Sequence, residues 1–394
     1  MTQSQHQHEN HLLQLCLAPR PSESRLDLSR RALRNDLDWE YIFQFAERQA
    51  LAPLLHNQFK KIGADAIPAE YQQRFKFAYQ ANVARTLFLS DELITLTRVF
   101  ESRGIESLPY KGPVLGQIAY GDAALRCFID LDIIVRPADV PMAVEILLER
   151  GYRATGNINA NQMQTLIATQ HNIQFEREAG HLIVELHWRV SADLFASALN
   201  PESLWRSLEP VTLNNVQLKS LPAEDLLLAL CIHGSRHVWD KLSQVCDIAA
   251  LVGANQQMDW KRLMAAATEA DAERMLLLGL CLAGDLAEVS LPPDVQHSIA
   301  ADRSIKRLAG GIMDRLFSDN SNDRLSLREV LRYNLLVRKS LAARLRYGLF
   351  ALSPADTDLQ ALKLPRYLNF AYYGLRPFRL LLSRISKTTK SPAP

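Results

Sequence analysis

Asp130 and Asp132 lie in the run Ile129-Asp-Leu-Asp-Ile-Ile-Val135. Acidic and branched residues alternate there as they do in a strand, and residues two apart in a strand share a face. Two carboxylates side by side on an apolar strand are costly unless a cation or water lies between them. Magnesium is the natural occupant, because hard cations take carboxylate oxygens and nucleotide phosphates supply the remaining ligands. A D-x-D pair alone is equally the mark of a solvated strand end. The residues around it have to decide.

Lys111-Gly112 follows the short apolar run Ile105 to Tyr110 and opens a short helix. Free backbone N–H groups and the positive end of a helix dipole receive phosphate at such a place. Lys111 offers a point charge to a triphosphate, and Arg126 offers a planar fork. Arg126 could equally neutralise the acidic pair. Glu185, in Ile183-Val-Glu-Leu-His-Trp188, is the candidate third carboxylate of a two-metal site; the competing reading is a solvent-facing acid on an edge strand. His187 shares its face and suits a substrate contact or outer support better than metal ligation, since triphosphate-bound magnesium seldom takes imidazole. His233 and His237 stand four apart on one helix face, but only Gly234, Ser235 and Arg236 separate them, so zinc is not indicated. His233, His237 and Lys241 are candidates to touch base, phosphates or acceptor, with packing against Trp239 and Trp188 as the competing role for the histidines.

The elements that must carry these residues change period along the chain. Residues 1–25 begin polar and are expected to be poorly ordered. Residues 26–104 read as an N-terminal helical segment, with Asp36 or Asp38 as a cap, Pro68 at a helix start and Arg103-Gly104 as a stop. Residues 105–221 read as an α/β core: strands at Ile105 to Tyr110 and Ile129 to Val135, helices at Gly112 to Tyr120 and Ala138 to Arg150, then a hairpin of His171 to Arg177 and His181 to Val190 turning at Ala179-Gly180. Residues 222–325 return to helix. Residues 326–385 form a basic, aromatic-rich helical tail, and 386–394 are expected to be disordered. From Arg328 to Lys390 the tail holds thirteen Lys or Arg against three acids; a solvated helix face, an anionic membrane surface and a polyanionic acceptor all fit that excess.

The chain as a whole is that of an ordinary globular protein: 394 residues, 48% hydrophobic and 22% charged. A net charge of +2 gives no global argument for nucleic acid or membrane. Five scattered cysteines without a C-x-x-C pair indicate neither a disulfide framework nor a zinc knuckle. The absence of a signal-peptide pattern and of a run of some eighteen apolar residues leads to the expectation of a cytoplasmic protein without a transmembrane segment.

In order, K-G-x-x-L at Lys111, Y-G-D at Tyr120, Arg126, D-x-D-I-x-V at Asp130, Gly151-Tyr152 and V-E-L-H-W at Val184 resemble the uncharacterised bacterial nucleotidyltransferase family of the polymerase-β-like superfamily. So does the segment from Glu224-Asp225 through Cys231-Ile-His233, His237, Trp239, Lys241-Leu242 and Asp247. The resemblance spans roughly residues 30 to 300. It implies a nucleotidyltransferase core with a small mixed sheet (α/β, or α+β) and a C-terminal helical domain, with metal carboxylates at Asp130, Asp132 and Glu185. The superfamily's usual Gly-Ser turn is missing, and Lys111-Gly112 stands in its place. The expected activity is transfer of a nucleoside monophosphate from an NTP to an acceptor hydroxyl, with Mg2+ or Mn2+ and release of pyrophosphate. ATP is one expected NTP, and a small molecule, a peptide and an RNA end are all open as acceptor. Phosphoryl or other group transfer at the same site, and a nucleotide-binding scaffold without turnover, are the competing functions.

Overall fold

The computed structural model describes residues 6–156, 160–178, 181–191, 204–287, 289–318 and 325–352. Its centre is a five-stranded mixed sheet built from β1 (Ser107–Pro109), β2 (Asp130–Val135), β3 (Arg153–Ala154), β4 (Asn172–Arg177) and β5 (Leu182–His187), in the order β1-β2-β5-β4-β3. Only β2 and β5 run parallel; the other pairs are antiparallel. The β2–β5 register sets Asp132 opposite Glu185 and Asp130 opposite Ile183. Alternation does the rest. Leu131, Ile133, Val135, Leu182, Val184 and Leu186 point into one apolar core, so Asp130, Asp132, Glu185 and His187 share the other face.

Helices α1 (Gln7–Cys16), α2 (Glu23–Ala32), α3 (Trp39–Arg48) and α4 (Ala52–Ile62) precede α5 (Ala69–Ser102), a single 34-residue helix. Within the sheet region lie α6 (Gly112–Tyr120), α7 (Val140–Glu149) and α8 (Ala160–Thr169). After a second hairpin, β6 (Glu209–Leu213) and β7 (Val216–Ser220), the chain continues as α9 (Ala223–Arg236), α10 (Leu242–Ala254), α11 (Trp260–Glu269) and α12 (Glu273–Ala287). It ends in α13 (Pro293–Ala301), α14 (Arg303–Leu316), α15 (Leu327–Leu336) and α16 (Leu341–Leu352).

Two hydrophobic cores result, and their membership departs from the segments expected from sequence. Leu89, Leu93, Leu96 and Phe100 of α5 join the sheet and α7 in one core. Phe75, at the other end of α5, joins α1–α4 and the helices from α9 onward in the second. Residues 26–104 are therefore not a unit; α5 is a spine that belongs to both cores. From residue 6 on, the N-terminus also corrects the expectation of poor order over 1–25, residues 1–5 lying outside the described residues. Leu12, Leu13 and Leu17 are completely buried, and the Arg25 guanidinium donates to the carbonyls of Leu15 and Leu286. Polar residues such as His8, Glu9 and Asn10 mask a helix whose apolar stripe begins only at Leu12.

The four strands and two helices expected across 105–150 and 171–190 are present: Gly112–Tyr120 has its expected bounds, the others are shortened by one to three residues at one or both ends, and Pro137–Asp139 forms a separate 3-10 turn ahead of α7. Glu178 turns the β4–β5 hairpin at φ +55°, while the expected turn residues 179–180 lie outside the described residues. Gly112 has φ +54°, and a Cβ there would stand 3.3 Å from the Asp130 carbonyl oxygen. The bare backbone lets the start of α6 lie directly on β2. A Cβ on Gly116 would meet the Ala123 Cα at 2.8 Å, so α6 also sits flush on the turn that leads to Arg126.

In the tail, Tyr333 and Tyr347 are buried, and Arg338 is 1% exposed with its guanidinium 4.2 Å from the Tyr347 ring centre. Arg346 pairs with Asp271, and Lys339 with Glu273. Arg338 is thus committed to packing and Arg346 to an ion pair, while Lys339, Arg328 and Arg332 stay exposed to solvent. Residues 353–394, including the expected disordered end, lie outside the described residues. The described cysteines are all free, and none of the described helices is long and apolar enough to cross a membrane.

Candidate active site

Four side chains converge on the cleft face of β2 and β5. Asp132 Oδ1 accepts from Lys111 Nζ at 2.9 Å and from His187 Nε2 at 3.1 Å. The same His187 nitrogen lies 3.1 Å from Glu185 Oε2, which also accepts from Asn172 Nδ2 at 3.0 Å. Ionised carboxylates only accept, so His187 Nε2 carries the proton. Asp132, Lys111 and His187 are all under 9% exposed. Burial alone would raise Asp132, but Lys111 and His187 outweigh it and hold its carboxyl well below the usual range. Burial likewise opposes the charged imidazole, and the hydrogen bonds to Asp132 and Glu185 still carry His187 above its ordinary value.

Lys111 is not a surface lysine. It ends β1 and begins α6, its ammonium 4.9 Å from the Tyr110 ring centre, while Tyr110 meets His187 edge-on. Ligand atoms of Asp132, Glu185 and His187 lie within 4.8 Å of one another. Three carboxylates on one face with a single imidazole form a donor set of hard oxygens that suits magnesium or manganese. Cation ligation by His187 would depart from the sequence reading, which gave it a substrate or supporting role. Its Nδ1 is buried without a hydrogen-bond partner.

Asp130 sits farther out, partly exposed, in a cavity of about 350 Å³ that Lys111, Arg126, His233, Lys241 and Asp247 also line. Burial, then the negative charges of Asp132 and Glu185, push its carboxyl up to about 6. An unfolded aspartate titrates near 3.9, so the folded protein binds this proton more tightly and loses stability as pH rises from about 4 to about 6. We therefore expect Asp130→Asn to stabilise the metal-free protein by about 3 kcal/mol at pH 7.5 and by roughly half that at pH 5. Urea unfolding at the two pH values checks this, and an equal gain at both would refute the electrostatic cause.

Arg126, expected on a triphosphate or on the Asp130–Asp132 pair, lines the same cavity as Asp130 and pairs with Asp247. Its Nε lies 3.1 and 3.0 Å from the two oxygens of Asp247 on α10, which also accepts from Tyr120 at 2.9 Å. Arg126 Nη1 donates to the Gly112 carbonyl at 3.4 Å. The pair thus ties the sheet to the helices behind the cleft. Lys241 caps α10, is exposed and has no side-chain partner among the described residues. That leaves its ammonium free toward the cavity.

The His233 and His237 rings lie tilted against each other, their centres 4.5 Å apart. Burial first and Lys111 second drive His233 well below its usual range, so it is neutral. Their neighbour Arg236 reaches His171 Nε2 at the start of β4, and its charge adds to burial in keeping His171 neutral. The expected packing partners lie elsewhere: Trp239 packs on Gly234, and Trp188 donates to the Ile167 carbonyl at 3.0 Å.

Sequence reasoning missed Asn172, His171, Arg236 and the partnership of Asp247 with Arg126. Asn172 carried only a weak signal, since polar Asn172, Gln174 and Glu176 simply alternate with Ile173 and Phe175 along the strand. Asp247 carried none beyond its place in a motif, because its partner is 121 residues away.

No curated protein matches the chain in sequence. A family model described as "Uncharacterised nucleotidyltransferase" matches residues 35–288, which take in the whole sheet, the carboxylate cluster and the helices through α12. The chain belongs to this nucleotidyltransferase family.

Proposed function

We propose that the chain transfers a nucleoside monophosphate from an NTP to an acceptor hydroxyl, at a divalent-cation site formed by Asp130, Asp132 and Glu185. One observation carries the reading: the β2–β5 register sets Asp132 beside Glu185 on the face that also bears Asp130. A magnesium or manganese ion bound there supplies Lewis acidity toward the phosphate oxygens and acidifies the attacking hydroxyl.

The chain's own residues account for the rest. Lys241, exposed at the start of α10, and Lys111 with the N-terminus of α6 attract and orient the triphosphate. His187 and Asn172 fix the Glu185 carboxylate, whose second oxygen takes the acceptor's proton. The acceptor oxygen bonds to the α-phosphorus as the bond to the bridging oxygen breaks. Pyrophosphate departs with the electron pair. Positioning and preorganised charge supply most of the acceleration in such chemistry.

Calorimetry of each NTP with magnesium, on wild type and Asp130→Ala/Asp132→Ala, tests the reading. We expect cation-dependent binding of at least one NTP that the double variant loses, and pyrophosphate as the leaving group in turnover. Nucleoside diphosphate as product would replace this reading with phosphoryl transfer. Tight binding without any product would make the chain a nucleotide-binding scaffold.

A further inference from the structure

A second cavity of about 790 Å³ lies beside the first, between α3, α4 and α5. The two share Ala50, Asn82, Arg85 and Cys127 in their walls, so the larger one opens onto the cleft next to Asp130. Its size is that of a small-molecule site. Phe43, Ala46, Ala78 and Ala81 give it an apolar lining, and Phe77 stands at its edge 73% exposed.

Side chains of both charges line the groove. At the inner end Arg85 donates to the carbonyls of Phe128 and Ile129, immediately before Asp130, and keeps its positive charge without a carboxylate partner among the described residues. Glu47 and Glu70 also line the groove. Arg74, in the same lining, is taken by Glu40 through both of its terminal nitrogens and lies 4.0 Å over the Phe43 ring. Neither Glu47 nor Glu70 has an ion pair among the described residues. Two acids without an ion pair among the described residues favour a cation over a polyanion such as RNA in the groove.

We propose that this groove is the acceptor subsite, and that it selects a small amphipathic amine bearing a hydroxyl: the apolar body along α5, the ammonium at Glu47 and Glu70, and the hydroxyl toward Asp130. The proposal rests on the nucleotidyl-transfer reading for its use, but the groove's preference can be measured without turnover.

Dansylcadaverine, an apolar ring system with a protonated amine, and the anionic naphthalene dye ANS serve as matched fluorescent probes. We expect wild-type protein to bind the amine at least tenfold tighter than ANS. Glu47→Gln/Glu70→Gln should cut amine affinity about tenfold or more, given about fivefold per exposed charge at contact distance in water. Ala81→Trp, at an exposed position, should fill the groove and abolish amine binding while magnesium–NTP binding by calorimetry stays within twofold. A saturating non-hydrolysable NTP should leave amine affinity within threefold, since the two ligands occupy different cavities.

Tighter binding of ANS than of the amine, or amine binding that survives Ala81→Trp, would overturn the proposal. So would full competition by the nucleotide, which would make the groove the nucleoside's seat. Wild-type protein that binds the amine as described but no NTP would instead refute the nucleotidyl-transfer reading and leave the groove's selectivity standing.

Discussion

Asp132→Asn should leave a folded protein whose transfer rate is lower by on the order of a thousandfold or more, the scale for removing one preorganised electrostatic group from a transition state. The substitution keeps the shape of the side chain but removes the charge on which Lys111 and His187 both converge at 2.9 and 3.1 Å. Two effects compound. The cation site loses its most buried carboxylate, and Lys111 is left without the anion that fixes it. The loss should fall on kcat and on cation affinity together, because the group acts while charge develops on the phosphate. Steady-state kinetics across a magnesium titration, paired with circular dichroism, makes the measurement. A fall of less than tenfold at saturating magnesium would show that Asp132 only anchors Lys111.

The second large effect belongs to stability. Arg126→Ala should destabilise the fold by about 3 to 5 kcal/mol, the scale for leaving one member of a buried ion pair without its partner. Asp247 would remain 4% exposed, holding only the Tyr120 hydroxyl. Replacing both members with apolar residues of similar volume, Arg126→Met/Asp247→Leu, should recover most of the loss, since neither desolvation penalty remains. Denaturant unfolding of the single and double variants forms a thermodynamic cycle. If Arg126 instead binds phosphate, the single variant would keep its midpoint and lose NTP affinity. That result would return Arg126 to the role its sequence context allowed.

Much of the site was legible because strand periodicity is local. The two-residue spacing of Asp130 and Asp132, and of Glu185 and His187, placed each pair on one face before any packing was known. What joins the two strands was not legible, since the β2–β5 register depends on contacts across more than fifty residues. Lys111 shows the same limit. Its position at the start of α6 followed from Gly112, but its partner Asp132 is a tertiary fact.

The β6–β7 hairpin went unread although its pattern was there. Val211, Leu213 and Leu218 alternate with polar residues and are buried in the sheet's core. Asn214 and Asn215 take the left-handed backbone, φ 47° and 62°, that a tight hairpin turn demands. The two cores were out of reach for another reason. Amphipathic helices announce that they have an apolar face, and never which other helix covers it.

That α1, α2 and α3 make contacts with residues far downstream in the chain bears on how the protein is made. The Phe45 ring stacks on Phe317, Asn10 donates to the Phe317 carbonyl, and Arg25 reaches Leu286. None of these partners exists when the N-terminal helices leave the ribosome. At ordinary elongation speeds the wait lasts on the order of ten to fifty seconds. Throughout it Phe45, completely buried in the finished fold, lacks the ring on which it finally stacks. Nascent chains of this protein are thus natural clients for a chaperone that shields apolar helices, and the sheet with its carboxylates can assemble before the helices that began the chain find their place.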